Sequence, residues 1–233
     1  MRADAGRYLE SVKNSLGEVG TEVSVVGKQG EAASVIIEEA ETGSSTIVMI
    51  SSHGRSGVTR WAMGSVAEKV LQATNNPLLI IRDQTGEGTS MIEGDKDSHD
   101  WNALLSVSNI IIPLDGSPLS EQVIPHATVL ANSLGVPVTP IRVSNSPEDD
   151  SENIEYLKNV AKGIRDAGLQ SNDGDVLHGN PATAIIQMTE TIPNSLVAMT
   201  TRGRSGIQRW VMGSVTDRVV RHSSSPALVI RGT

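Results

Sequence analysis

The 233-residue chain is long enough for one large domain or two small ones, and without cysteine it has no disulfide framework, no thiolate metal site and no thiol catalysis. A formal net charge of −8 argues against a general binder of nucleic-acid backbone, although local main-chain amides can still hold an anion. Aromatic residues make up 2% with no Phe, so Val, Ile, Leu, Ala and Met must build the core, a composition suited to strands covered on both faces by helices.

The chain opens on Tyr8, Leu9, Val12 and Leu16 at helical spacing, followed by Gly20. Residues 21–26 read as a strand, 31–41 as a helix, 46–50 as a strand, 64–73 as a helix and 78–82 as a strand. Residues 83–108 are rich in Gly, Asp, Glu and Ser, the composition of an exposed linker, with Trp101, Leu104 and Leu105 expected to anchor its end. No apolar run approaches membrane-spanning length and the first residues lack an apolar signal core, so a soluble cytoplasmic protein is expected.

The second half alternates strands and helices without interruption. Residues 109–114 form an apolar run, and Ser117-Pro118 then supplies a helix cap and a first-turn proline. Val123, Ala127, Leu130, Ala131 and Leu134 keep helical spacing until Gly135. A strand over 136–143, a helix over 151–167 and a short strand over 175–177 follow. Asn180-Pro181 caps the next helix, 195–200 is a strand, 213–222 a helix and 227–231 the last strand. Such alternation predicts a parallel sheet between helical layers.

Residues 54–82 recur as 203–231, offset by 149 positions without a gap and identical at 15 of 29 positions, including Trp61 and Trp210. A repeat this long is one supersecondary unit used twice, so domains are expected at 1–82 and 109–233, joined by 83–108. The opening helix matches Tyr156, Leu157, Val160, Ile164 and Gly168, so the first half has no counterpart of the first strand, first helix and second strand. The strands at 21–26 and 46–50 then lack neighbours between them, so about forty residues are expected upstream of Met1, the alternatives being a rearranged half or another chain that fills the gap.

The repeated unit is a glycine-bearing loop leading into a helix. Gly203, Gly206 and Gly213 allow close backbone approach, and Ser214 stands at the helix start, where free amides and the dipole attract phosphate. Gly54, Gly57, Gly64 and Ser65 repeat the arrangement.

These residues closely resemble the universal stress protein family in its tandem two-domain form. The family's nucleotide motif is Gly-x2-Gly-x9-Gly-Ser/Thr; Gly203, nine residues and Gly213-Ser214 fit its latter part, as do Gly54, nine residues and Gly64-Ser65. The motif's first glycine is replaced by Ser51 and by Thr200, whose β-branch narrows the loop. The resemblance implies an open parallel five-stranded α/β sheet of order 3-2-1-4-5, complete in the C-terminal copy and partial in the N-terminal one. It also implies that Asp115, in Pro113-Leu114-Asp115, contacts the adenine end of a nucleotide and that Val143 flanks the base. Thr200 then stands at the entry of the loop, and Gly203, Gly213, Ser214 and Val215 would hold ribose and phosphates. ATP, ADP or AMP is the expected ligand, with Mg²⁺ carried on the phosphates rather than in a protein cage. The first half keeps the loop but offers no equivalent of Asp115, so it is expected to bind weakly or not at all.

Blander readings stay open beside these. Asp115 could cap the helix near Pro118, Gly206 and Gly57 could be turn glycines, and Ser65 and Ser214 could only start helices. Arg55 and Arg204 read better as solvated arginines than as phosphate clamps, and the two tryptophans as structural. His53, His126, His178 and His222 are scattered, Glu148-Asp149-Asp150 lacks metal-ligand spacing, and no nucleophile elbow or Gly-x4-Gly-Lys-Ser/Thr loop occurs. The expected function is therefore an adenine-nucleotide sensor or switch, with at most weak hydrolysis. The alternative is a scaffold of the same fold that acts through partner or homo-oligomer surfaces, with the two halves mimicking a dimer.

Overall fold

The structure, a computed structural model, describes residues 2–17, 22–43, 45–51, 63–81, 106–201 and 212–232. In chain order these form α1 (Arg2–Gly17), α2 (Ala32–Ala40), β1 (Val48–Ser51), α3 (Ser65–Ala73), β2 (Leu78–Ile81) and β3 (Asn109–Pro113). Then come α4 (Pro118–Glu121), α5 (Val123–Leu134), β4 (Val138–Ser144), α6 (Asp150–Asp166), β5 (Asp175–His178), α7 (Pro181–Thr191), β6 (Ser195–Thr200), α8 (Ser214–His222) and β7 (Ala227–Ile230).

All the described strands join one sheet in the order β1-β2-β7-β6-β3-β4-β5. Within it the second half keeps the expected 3-2-1-4-5 arrangement, with β3 between β4 and β6 and every pair parallel. The sheet nonetheless has seven strands rather than five. β2 pairs antiparallel with β7, which appends the first half's two strands to the second half's edge.

Three elements differ from the sequence reading. Residues 22–29 form no strand, because a strand needs a ladder partner and none of the described residues supplies one. The helix after Ser117 is two pieces, with Gln122 between α4 and α5 in helical conformation. The strand expected over 136–143 runs 138–144, because the Pro137 carbonyl accepts from Ile110 just before the ladder proper. The linker residues 83–105, with Trp101, Leu104 and Leu105, lie outside the described residues. After them Val107 is buried, and Ser108 is held by main-chain and side-chain bonds to Asn194 and Pro193.

The period-2 alternation of β3 explains both layers. Ile110 and Ile112 face one cluster with Val123, Ala127, Ala131 and Ile164 of α5 and α6. Ile111 faces the other side, with Ile141, Ala182, Ile185 and Val219 beneath α7 and α8. All three isoleucines are fully buried, each contributing about 1.5–3 kcal/mol. A third cluster joins Val70 and Leu78 of the first half to Val220 and Val229 of the second, so the halves share a core. Gly135 ends α5 at φ 68, a left-handed conformation in which a side chain would be strained.

Candidate functional site

The mutually parallel strands β3 to β7 end on one rim, and the chain reverses its winding between β3 and β6, the switch point at which parallel sheets characteristically leave a crevice. Pro113 and Asp115 stand at the end of β3, Val143 near the end of β4 and Thr200 at the end of β6. Val143 and Val215 both pack against the cluster that holds Ile111 and Met199. Pro113, two residues beyond Ile111, lies on the same face by alternation.

Asp115 is half-buried and opens a tight turn. Its Oδ1 accepts from the Ser117 amide at 2.9 Å and from the Ser117 hydroxyl at 2.6 Å. Ser117 itself caps α4, its Oγ accepting from the Ser120 amide at 3.1 Å. The helix cap is thus Ser117, while Asp115 fixes the turn before it.

Beneath this turn lies a cluster that sequence reasoning missed. Gly116 has φ +78, and a Cβ there would stand 2.9 Å from Nη1 of Arg142. The Arg142 guanidinium sits 4.9 Å from the centre of the Tyr156 ring, and the Tyr156 hydroxyl donates to Glu121 Oε1 at 2.8 Å. Burial first, and then the bond to Glu121, push the Tyr156 hydroxyl pKa upward, so it remains protonated and donating. Asp-Gly after a strand signals the turn, but nothing local ties it to an arginine one strand away.

The other side of the crevice is the corner between β6 and α8. The Thr201 amide donates to the Ile230 carbonyl at 2.8 Å, and the Gly213 amide closes the neck by donating to the Thr201 carbonyl. The Thr216 hydroxyl donates to the Thr200 carbonyl at 2.8 Å, binding the first turn of α8 to the strand end. Gly213 is the N-cap of α8 at φ −56, ψ 143, with no side-chain cap, and Gly64 begins α3 the same way at φ −60, ψ 145. Glu31, Ser117 and Asn180 place side-chain acceptors on the first amides of α2, α4 and α7. The two helices of the repeat start at glycines that bring no capping side chain, and α5 and α6 likewise lack a side-chain cap among the described residues; a helix start of this kind suits an incoming anion.

Ser214 and Ser65 are exposed on the first turns of α8 and α3. Gly203, Gly206 and Gly54 lie outside the described residues, as do Gly57, Arg55, Arg204, Trp61, Trp210 and His53. Of the remaining histidines named above, His126 and His222 are exposed, and His178 Nε2 is 3.2 Å from Asp150 Oδ2. Among the described residues no three His, Asp or Glu side chains gather as a metal site, and no helix is long and apolar enough to cross a membrane.

A polar cleft of about 300 Å³ opens at the opposite rim, lined in part by Ser106, Glu190, Asn194 and Ser225. Among the described residues its lining has no cationic side chain, and two of its hydroxyls bond one another, Ser195 with Ser225 at 3.4 Å. That chemistry does not suit a phosphate.

The sequence profile of the universal stress protein family matches residues 2–82 and 107–231. A universal stress protein of Methanocaldococcus jannaschii is 30% identical over 138 residues, covering 52% of this chain and 81% of that one. One from Mycolicibacterium smegmatis is 25% identical over 233 residues, covering 94% and 73%. The crystal structure of a universal stress protein from Archaeoglobus fulgidus superposes with a TM-score of 0.74 at 22% identity, over 99% of this chain and 79% of that one, and so shares the fold. With its profile matched across both halves, this chain belongs to the universal stress protein family.

Proposed function

We propose that the C-terminal half, 109–233, binds ATP or another adenine nucleotide in the crevice between β3 and β6 and acts as a cytoplasmic sensor or switch. The observation that carries this reading is the bare glycine N-terminus of α8 on the same rim as the half-buried Asp115 turn. The amides of Ser214 and Val215 and the positive end of the helix dipole take the phosphates, and Gly203 and Gly206, which lie outside the described residues, belong to the same sequence motif. Asp115 accepts from the exocyclic amine of adenine, against an apolar wall formed by Val143 and Val215. Any Mg²⁺ travels on the phosphates, without a protein cage. The 1–82 half carries the same corner residues Gly54, Gly64 and Ser65.

Isothermal titration with ATP, ADP and AMP tests the reading, alongside Asp115→Ala. Saturable binding by the wild type that the variant loses supports it. A folded protein that gives no heat at millimolar nucleotide defeats it. The second reading, a scaffold without nucleotide, draws on the closed neck between Thr201 and Gly213 and on the continuous sheet across the two halves. That negative titration is the result it expects.

A further inference from the structure

The Asp115 turn rests on a side chain from the far side of β4. Side chains alternate along that strand, and Val143 packs with the cluster beneath α7 and α8. Arg142 faces the other side, where Tyr156 of α6 packs against the cluster of α5. Arg142 thus stands behind the wall that Val143 offers a base, and against the turn at Asp115 and Gly116.

The contact with that turn has a definite shape. A Cβ on Gly116 would stand 2.9 Å from Nη1 and 3.0 Å from both Cζ and Nη2 of Arg142. Three such similar distances put the glycine over the flat face of the guanidinium. The fit needs a residue without a side chain above and a planar cation below, which lysine does not supply. The Tyr156 ring supports the cation at 4.9 Å from its centre, and the Tyr156 hydroxyl is tied in turn to Glu121 of α4. Burial and the Glu121 bond act most on that hydroxyl, and the charges of Arg142 and Asp115 also reach it, in opposite senses. Cation and carboxylate therefore share one small region of the rim.

We infer that Arg142 is a positioning residue for base recognition: its guanidinium face sets the height of the Asp115-Gly116 turn, so that the Asp115 carboxylate meets the exocyclic amine of adenine. Arg142 itself touches neither base nor phosphate. The inference rests on the nucleotide reading above and deepens it, because it assigns choice of the base to β4 and α6 and leaves the phosphates to α8.

Calorimetric titration of the full chain with ATP, inosine triphosphate and tripolyphosphate tests it. Inosine carries a carbonyl where adenine carries the amine, so the wild type is expected to prefer ATP. Arg142→Leu is expected to lower that preference about ten-fold by weakening ATP, the size of one hydrogen bond to a charged group. Tripolyphosphate should bind as before. Arg142→Lys should show the same change in smaller measure, and keeps the test decisive if the leucine variant folds poorly. Combined with Asp115→Asn, Arg142→Leu should cost less than the sum of the two, since one acts through the other. A preference that survives in both Arg142 variants overturns the inference, as does a wild type that binds ATP and inosine triphosphate equally. A parallel loss of all three ligands, or strict additivity with Asp115→Asn, leaves Arg142 a support of the fold only and also overturns it. A wild type that binds none of the three defeats the nucleotide reading itself, and this inference with it.

Discussion

Leu79 lies directly opposite Leu228, its own counterpart 149 positions later, at the centre of the antiparallel seam between β2 and β7. The local two-fold of the repeat therefore passes between these two side chains, which are 2% and 0% exposed. Leu79→Ala and Leu228→Ala are each expected to cost about 2–5 kcal/mol through lost burial and a cavity. Since the residues share neighbours, the double variant should lose less than the sum. Urea unfolding of the four proteins measures the coupling.

Asp115 does two jobs in the proposed site, and the substitutions separate them. Asp115→Asn keeps an oxygen for the Ser117 amide and hydroxyl, so the fold should hold while adenine recognition weakens about ten-fold, the cost of one charge-assisted bond. Asp115→Ala also frees the turn, and should lower stability by about 1 kcal/mol as well as abolish measurable binding. Calorimetric titration paired with chemical denaturation resolves the two.

Gly116→Ala places a Cβ at φ +78 and against the Arg142 guanidinium. The left-handed conformation alone costs about 1–2 kcal/mol in an L-residue. Arg142→Ala in the same chain should recover the part caused by the clash and leave the backbone strain. Thermal melts of the single and double variants show the split.

Gly213→Asp would supply α8 with the side-chain cap it lacks. The backbone at φ −56 and ψ 143 already suits such a residue, and the cap should add about 0.5–2 kcal/mol. The same carboxylate occupies the amides proposed to hold phosphate and repels the anion. A higher melting temperature combined with weaker nucleotide affinity is the expected pair of results; an unchanged affinity would remove α8 from the site.

Glu31 caps α2, and its bonds from Lys69 and from the Ser34 amide and hydroxyl lower its pKa from 4.5 to about 2. A carboxyl depressed in the folded state stabilises above its unfolded pKa. That contribution is lost as pH falls from about 4.5 to about 2. The group is exposed, so the effect is small and salt-sensitive. Denaturation midpoints across this window should fall less steeply for Glu31→Gln than for the wild type.

Ser117-Pro118 and Asn180-Pro181 were readable as helix starts, and Gly135 as a stop, because capping depends on atoms within a few residues of each other. The bare starts at Gly64 and Gly213 were legible for the same reason, since the repeat keeps the glycine and its serine at fixed spacing. The Arg142–Tyr156–Glu121 support of the Asp115 turn was not, for its members come from β4, α6 and α4. The segment read as a strand over 21–26 has strand-like composition but finds no partner strand among the described residues, and composition cannot supply hydrogen bonds that must come from elsewhere.

By itself, then, the sequence determined the repeat, the alternation of strands and helices, and the glycine corners where an anion could sit. Tertiary structure alone decided that the two halves close into one seven-stranded sheet through Leu79 and Leu228 and that Arg142 underlies Gly116. Caps and periodicity act over one or two turns of chain, whereas the seam that unites the halves pairs residues 149 positions apart, Leu79 with Leu228.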